Sequence, residues 1–246
     1  MLINNIIECG DRMISFTPYE SGSAGNLYMA YDGETKLLIE CGVPLARIKQ
    51  ALGYRLSEVG GCLVTHGHLD HCKAAADLMK CGVDVYASRG ALEERGLAGH
   101  RAKALKAMEE TVIGTFRVLP FDVEHDAAEP LGFLITSLTC GERLLFISDS
   151  NYTRYRFPGM NIIAAECNYD ADSLWRSVRA GATPPEMAQR IVRSHTSLDT
   201  LLTMLRANDM SGVRQIWLMH LSDDRSDAAV IREAVQRQTG AEVYVC

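Results

Sequence analysis

Residues 65–71 read Thr-His-Gly-His-Leu-Asp-His and put three of the chain's seven histidines and one carboxylate within six positions, directly behind the apolar run Gly61-Cys62-Leu63-Val64. This run has the composition of a buried strand, and Cys72 to Lys80 has that of a helix closed by Gly82. The histidines therefore occupy a strand-to-helix loop. Side chains of an extended segment alternate in direction, so His66 and His68 face one side, while Asp70 and His71, at the start of the helix, point toward a neighbouring position. Such a string supplies two pairs of ligands for two metals, mixing imidazole with the harder carboxylate as zinc, manganese or iron sites do.

Four residues cannot complete two coordination shells, and three further candidates stand where apolar runs end. His125 follows Thr115 to Val123, Asp149 follows Arg143 to Ser148, and His220 follows Val213 to Met219. His66, His68 and His125 would hold one ion and Asp70, His71 and His220 the other, with Asp149 bridging both. Cys72, beside His71, is a further candidate because thiolate suits zinc.

The order HxHxDH, His, Asp, His resembles the ligand order of the metallo-β-lactamase fold superfamily, and within it the YycJ/WalJ-like group of small bacterial and phage proteins. The likeness is carried by residues 21–26 (Ser-Gly-Ser-Ala-Gly-Asn), 125–133, 166–170 (Glu-Cys-Asn-Tyr-Asp), 194–198 (Ser-His-Thr-Ser-Leu) and 220–222 (His-Leu-Ser). Where such proteins usually carry Asp, this chain has Glu40. The resemblance implies an α/β fold, a four-layer αββα metallo-β-lactamase-like sandwich, and a DNA exonuclease acting from 5′ ends. It also implies a catalytic role for His195, a histidine not needed by the ligand set and suited by its near-neutral pKa to protonate a departing alkoxide. Asp70 joins His195 among the residues assigned to catalysis. Ser23, Asn26, Asn168 and Thr196 are the candidates for contact with substrate, Asn168 also as a partner that orders His195 or His220.

Strand signals lie at residues 13–16, 27–30, 36–39, 62–64 and 83–86, then at 116–121, 133–137, 144–147, 162–165, 215–218 and 242–245. Helical signals lie at 46–52, 71–80, 89–95, 184–192, 198–206 and 227–238. Two strand-rich halves with helices outside agree with the layered sandwich. No Pro/Gly/Ser-rich linker or repeat divides the 246 residues, so one domain spanning 1–246 is expected. No stretch is long and apolar enough for a membrane span, and Met1 to Cys9 lacks the basic and apolar regions of a leader, which points to the cytoplasm. The eight cysteines are dispersed without a CxxC pair and read as cytosolic thiols. Association as a homodimer is left open.

Two divalent ions, less Asp70, Asp149 and a bridging hydroxide, leave roughly +1 at the centre, so an anionic group such as phosphate is drawn there. Neither ion needs to change redox state, which makes hydrolysis by a metal-activated water the default chemistry. The polymer reading must contend with a net charge of −6, although basic residues gather at Arg89, Arg95, Arg101, Lys103 and Lys106 and at Arg176, Arg179, Arg190 and Arg193. The segment Tyr152 to Phe157 has the aromatic and basic residues that grip single strands. Two alternatives stand beside the nuclease: a small-molecule phosphodiesterase that opens a cyclic nucleotide, and a non-catalytic metal-binding partner protein.

Overall fold

Adjacent apolar residues on one strand pack in opposite directions, and this decides the layering. Leu37 and Ile39 point into one cluster and Leu38 into another, all three fully buried; Leu144 and Phe146 likewise face away from Leu145 and Ile147. A strand covered on both faces can be apolar at every position, and the runs seen in the sequence are of this kind.

The computed structural model describes residues 12–222 and 224–246, so the expectation for Met1 to Cys9 lies outside the described residues. Strands β1 (Ser15–Glu20), β2 (Leu27–Tyr31), β3 (Lys36–Ile39), β4 (Val59–Leu63), β5 (Val85–Ser88) and β6 (Ala102–Leu105) form one sheet in chain order. It is antiparallel from β1 to β3 and parallel from β3 to β6. The second sheet has the order β13-β12-β11-β10-β9-β8-β7, built from β7 (Thr111–Ile113), β8 (Phe116–Asp122), β9 (Leu131–Ser137), β10 (Arg143–Ile147), β11 (Ile162–Glu166), β12 (Gln215–Met219) and β13 (Glu242–Val245). Here β7 to β10 are antiparallel and β10 to β13 parallel.

Helices α1 (Leu45–Ala51), α2 (Leu69–Cys72), α3 (Ala75–Lys80) and α4 (Arg89–Glu94) belong to the first half. Helices α5 (Ala171–Arg179), α6 (Pro185–Ser194), α7 (Leu198–Arg206) and α8 (Ala228–Thr239) belong to the second. Leu37, Leu63, Phe133, Phe146 and Ile162 fill the space between the sheets. Ile48 and Leu78 cover the outer face of the first sheet, and Leu201, Leu205, Ile231 and Val235 that of the second. Each fully buried side chain of this size contributes about 1.5–3 kcal/mol relative to an exposed one. The four-layer αββα sandwich is thus present.

The helix expected at 71–80 is instead two, and the cause is tertiary. Cys41 inserts its backbone, donating to the His71 carbonyl at 2.7 Å and accepting from the Ala74 amide at 2.9 Å. Those groups are then lost to the helical ladder, so α2 and α3 separate. The close approach requires Gly42, where a Cβ would lie 1.6 Å from the Asp70 carbonyl oxygen. No rotamer change relieves a backbone clash. Gly42→Ala should therefore cost at least about 3 kcal/mol, the upper end for overpacking, read as a fall in Tm of roughly 6–12 °C. A Tm unchanged within a degree would mean the contact is not made.

Helix α5 and strands β6 and β7 were not anticipated. In α5, Leu174 is the only large apolar side chain that is fully buried, too little for a periodic signal, and Asp170 caps it by accepting from the Ser173 amide at 2.8 Å. Strand β1 runs on to Glu20 past the end expected at residue 16, with Pro18 tolerated because β1 is an edge strand.

Candidate metal centre

Every candidate ligand leaves the same edge of the sandwich, at or just beyond the carboxyl ends of β4, β8, β10 and β12. The chain bends sharply to aim them. Asp149 (φ 43°) and His220 (φ 55°) adopt left-handed backbone, as does Glu40 (φ 65°) just after β3. Such conformations cost of order 1–3 kcal/mol each and persist where the surroundings over-determine them.

His66 Nε2 lies 3.1 Å from His68 Nδ1, which lies 3.3 Å from His125 Nε2. Beside this trio, His71 Nε2 is 3.3 Å from Asp149 Oδ2 and 3.6 Å from Asp70 Oδ2. His220 Nε2 stands 3.8 Å from both Asp70 Oδ2 and Asp149 Oδ1. Asp149 reaches the first group too, with Oδ2 3.9 Å from His125 Nε2. Potential donor atoms within 4.8 Å of one another group as His66, His68 and His125, and as Asp70, His71, Asp149 and His220.

A divalent cation fits this arrangement. His220 Nε2 is buried with no hydrogen-bond partner and is aimed between two carboxylates. The outer ring nitrogens of His66 and His125 are hydrogen-bonded elsewhere, as ligating imidazoles require, while that of His71 faces a carboxylate without a hydrogen bond. His66 Nδ1 meets Thr65 Oγ1 at 2.9 Å, His125 Nδ1 meets the Ser194 carbonyl at 3.0 Å, and His71 Nδ1 is 3.2 Å from Glu40 Oε1. Burial holds His66 well below the usual imidazole pKa, helped by the neighbouring His71, and also lowers His125. Burial pulls His71 and His220 down as well, but Asp149 outweighs it, with Glu40 at His71 and Asp70 at His220; His71 ends well above its usual value and His220 at about 9. Burial favours the neutral form of Asp149, yet His71 and His220 keep it well below the carboxylate range.

Two carboxylates behind the ligands were given no role from the sequence. Glu40, fully buried, accepts from Thr65 Oγ1 at 2.5 Å and faces His71, so it braces one histidine of each set. Glu166 ends β11 and accepts the Ser150 and Thr196 amides on Oε2 at 3.0 and 3.1 Å, with Oε1 2.5 Å from His195 Nδ1. Although Glu166 and His195 form a further donor cluster with Asp149 and His220, both Glu166 oxygens are committed to holding the loop. The signal that found Asp149, a carboxylate closing an apolar strand, is present at Glu166 as well.

The expected substrate contacts divide. Ser23 is exposed on the rim of a cleft of about 440 Å³ lined also by His68, Asp70, His125 and His195. Asn26, Asn168 and Thr196 are turned inward instead, with their polar atoms engaged in the protein. Asn26 Nδ2 donates to the Asp70 carbonyl at 3.1 Å and lies 3.3 Å from His71 Nε2, while its Oδ1 accepts from Tyr28. Asn168 Nδ2 is 3.1 Å from His220 Nδ1 and donates to the His220 carbonyl at 3.0 Å. Thr196 Oγ1 donates to the Ser150 carbonyl.

Cys72 is not turned to the metals. Its thiol faces the His68 and Gly67 carbonyls at 3.1 and 3.3 Å and is pushed up to about 12 by burial. The seven cysteines among the described residues are free thiols, and Cys9 lies outside them. In the segment 152–157, Phe157 packs on Phe121 while Tyr155 and Arg154 bond to Asp122, which leaves Tyr152 as its exposed aromatic. Arg101 and Lys103 pair with Asp84 and Lys106 with Glu109, so of the two basic stretches Arg95 and Arg190 are the residues that line the cleft.

Two sheets back to back, helices outside, and two histidine-rich donor sets at one strand edge define the metallo-β-lactamase class. The Beta-lactamase superfamily domain model matches residues 35–221, and the chain belongs to that family, as a metal-dependent hydrolase. It is 29% identical over 242 residues to Exodeoxyribonuclease YycJ of Bacillus anthracis, covering 91% of this chain and 88% of the relative. It is similar in fold to the metallo-β-lactamase fold protein YhfI of Bacillus subtilis, with TM-score 0.71 at 16% identity over 95% and 97% of the two chains. Human tRNase Z, short form, gives TM-score 0.59 at 12% identity over 95% and 96%. Among the described residues no helix is long and apolar enough to cross a membrane.

Proposed function

We propose that the protein hydrolyses phosphodiester bonds in DNA, removing nucleotides from 5′ ends. In this reading the chain is a single unit acting in the cytoplasm with two divalent ions, zinc, manganese or iron. His66, His68 and His125 would hold one ion and Asp70, His71 and His220 the other, with Asp149 available to both. The ions, when bound, neutralise phosphate charge and lower the pKa of a water.

The observation that carries the reading is His195. Its Nδ1 is tied to Glu166 at 2.5 Å, and its ring lines the cleft beside His125 and His220. Nε2 is then the nitrogen left for substrate, where a proton can be given to a departing alkoxide. Burial lowers the His195 pKa, but the Glu166 carboxylate reverses this and leaves it raised, which favours the proton-bearing form near neutrality. Asp70 has the most exposed carboxylate of the ligand set and is placed to orient the attacking water. The likeness to an exodeoxyribonuclease over most of the chain supports DNA as the substrate.

A substrate panel tests this. With 5′-labelled duplex DNA, single-stranded DNA, RNA and cyclic mononucleotides, each with manganese or zinc, labelled mononucleotide should be released from DNA. Activity should fall steeply as salt rises, since several phosphates are held by cations. Rapid opening of a cyclic mononucleotide with no release from any polymer would overturn the nuclease and favour a small-molecule phosphodiesterase. Metal binding without hydrolysis of anything in the panel would favour a partner-docking role.

A further inference from the structure

The metal cleft does not end at its ligands. On α6, Glu186, Gln189, Arg190 and Arg193 stand at i, i+3, i+4 and i+7 and share one helix face. With Asp126 and Ser194 this face lines a groove of about 340 Å³. Asp126, Arg190 and Ser194 line the metal cleft as well, so the groove opens directly from it, with Arg190 at the junction and Arg193 beyond.

The helix is hitched to the centre. Ser194 donates from Oγ to the Arg190 carbonyl at 2.8 Å, its own carbonyl takes His125 Nδ1 at 3.0 Å, and the next residue, His195, is held by Glu166. The groove thus has a fixed register against the histidines. Among the described residues neither Arg190 nor Arg193 is ion-paired, although Asp126 and Glu186 line the same groove, whereas Arg101, Arg154 and Arg214 are each committed to a carboxylate. Both guanidinium groups are exposed and keep their planar fork of donors for an incoming anion.

We infer that Arg190 and Arg193 form a track for the backbone phosphates that flank the scissile bond of a polynucleotide. This rests on the phosphodiesterase reading for its chemistry. A cyclic mononucleotide has a single phosphate, which the centre itself takes, and would leave Arg193 without a partner. The net charge of −6 does not oppose the track, because contact with a strand depends on the cations in the groove.

The test is fluorescence anisotropy of metal-loaded protein with a labelled single-stranded DNA of about twelve nucleotides, its linkages made resistant to hydrolysis, over a salt series. Each phosphate contact to a single strand contributes about 0.7 to the slope of log K against log salt. Arg190→Gln with Arg193→Gln should therefore flatten the slope by about 1.4 and weaken binding roughly 10-fold at low salt. Arg176→Gln with Arg179→Gln, on α5 and outside cleft and groove, should leave the slope as it is. Equal slopes for the wild type and the Arg190/Arg193 variant, or no strand binding by the wild type, would overturn the track. Arginine-dependent binding by a wild type that cleaves no polymer in the substrate panel would uphold the track and sink the nuclease reading instead.

Discussion

Asp149→Ala should lose metal and activity together, with the rate falling by roughly 10³-fold or more, the scale set by losing several kcal/mol of metal-assisted stabilisation. Asp149 is buried, faces His71, His125 and His220, and among the described residues is the carboxylate within 4 Å of histidines of both donor sets. Its removal takes an anionic donor from each set at once. His66→Ala should behave alike, through loss of one corner of the imidazole trio. The check is elemental analysis of protein purified without chelator, alongside thermal unfolding with and without a chelator. Metal that stabilises the folded state makes the wild-type Tm fall on chelation, and the variants should lack that response. Full metal content in both variants would sink the ligand assignment.

His195→Ala separates proton transfer from metal binding. The variant should retain its metal while turning over an alkyl phosphodiester roughly 10²-fold more slowly, the range for a positioned acid. A diester with an aryloxide leaving group departs without protonation and should be much less affected. Glu166→Gln should show a smaller loss with a diagnostic pH profile. The acid works only while protonated, so activity falls as pH rises through its pKa. Glu166 is what raises that pKa against the effect of burial. Replacing the carboxylate moves the alkaline limb to lower pH. Equal losses on alkyl and aryl substrates would assign His195 to binding or structure, and loss of metal would make it a ligand.

Much of the centre was legible because ligation and strand structure leave linear traces. His66 and His68 lie in one extended loop and face the same way, while Asp70 and His71 fall on the helix that follows, α2, and turn toward a neighbouring position. Asp149 follows a run apolar at nearly every position, the mark of a strand covered on both faces, and His125 and His220 follow strand-like stretches in which polar residues interrupt the apolar ones. The apolar runs and the helical periods likewise carry the layered fold.

What the sequence by itself determined is therefore the sandwich, and the candidate donors that it presents at one edge. Only the tertiary structure decided which polar residues face substrate and which face the ligands. Asn26, Asn168 and Thr196 read as equals of Ser23 along the chain, yet these three turn inward, where backbone carbonyls beside the ligands and in the loop at Ser150 accept from them. Glu40 and Glu166 acquire their meaning from residues 25 and 29 positions away in sequence. The break between α2 and α3 comes from the Cys41 backbone, which no local propensity encodes. Among the arginines, the division between those paired with a carboxylate and those left free beside the cleft is set by how separate helices and loops meet, since charge alone carries no record of its neighbours.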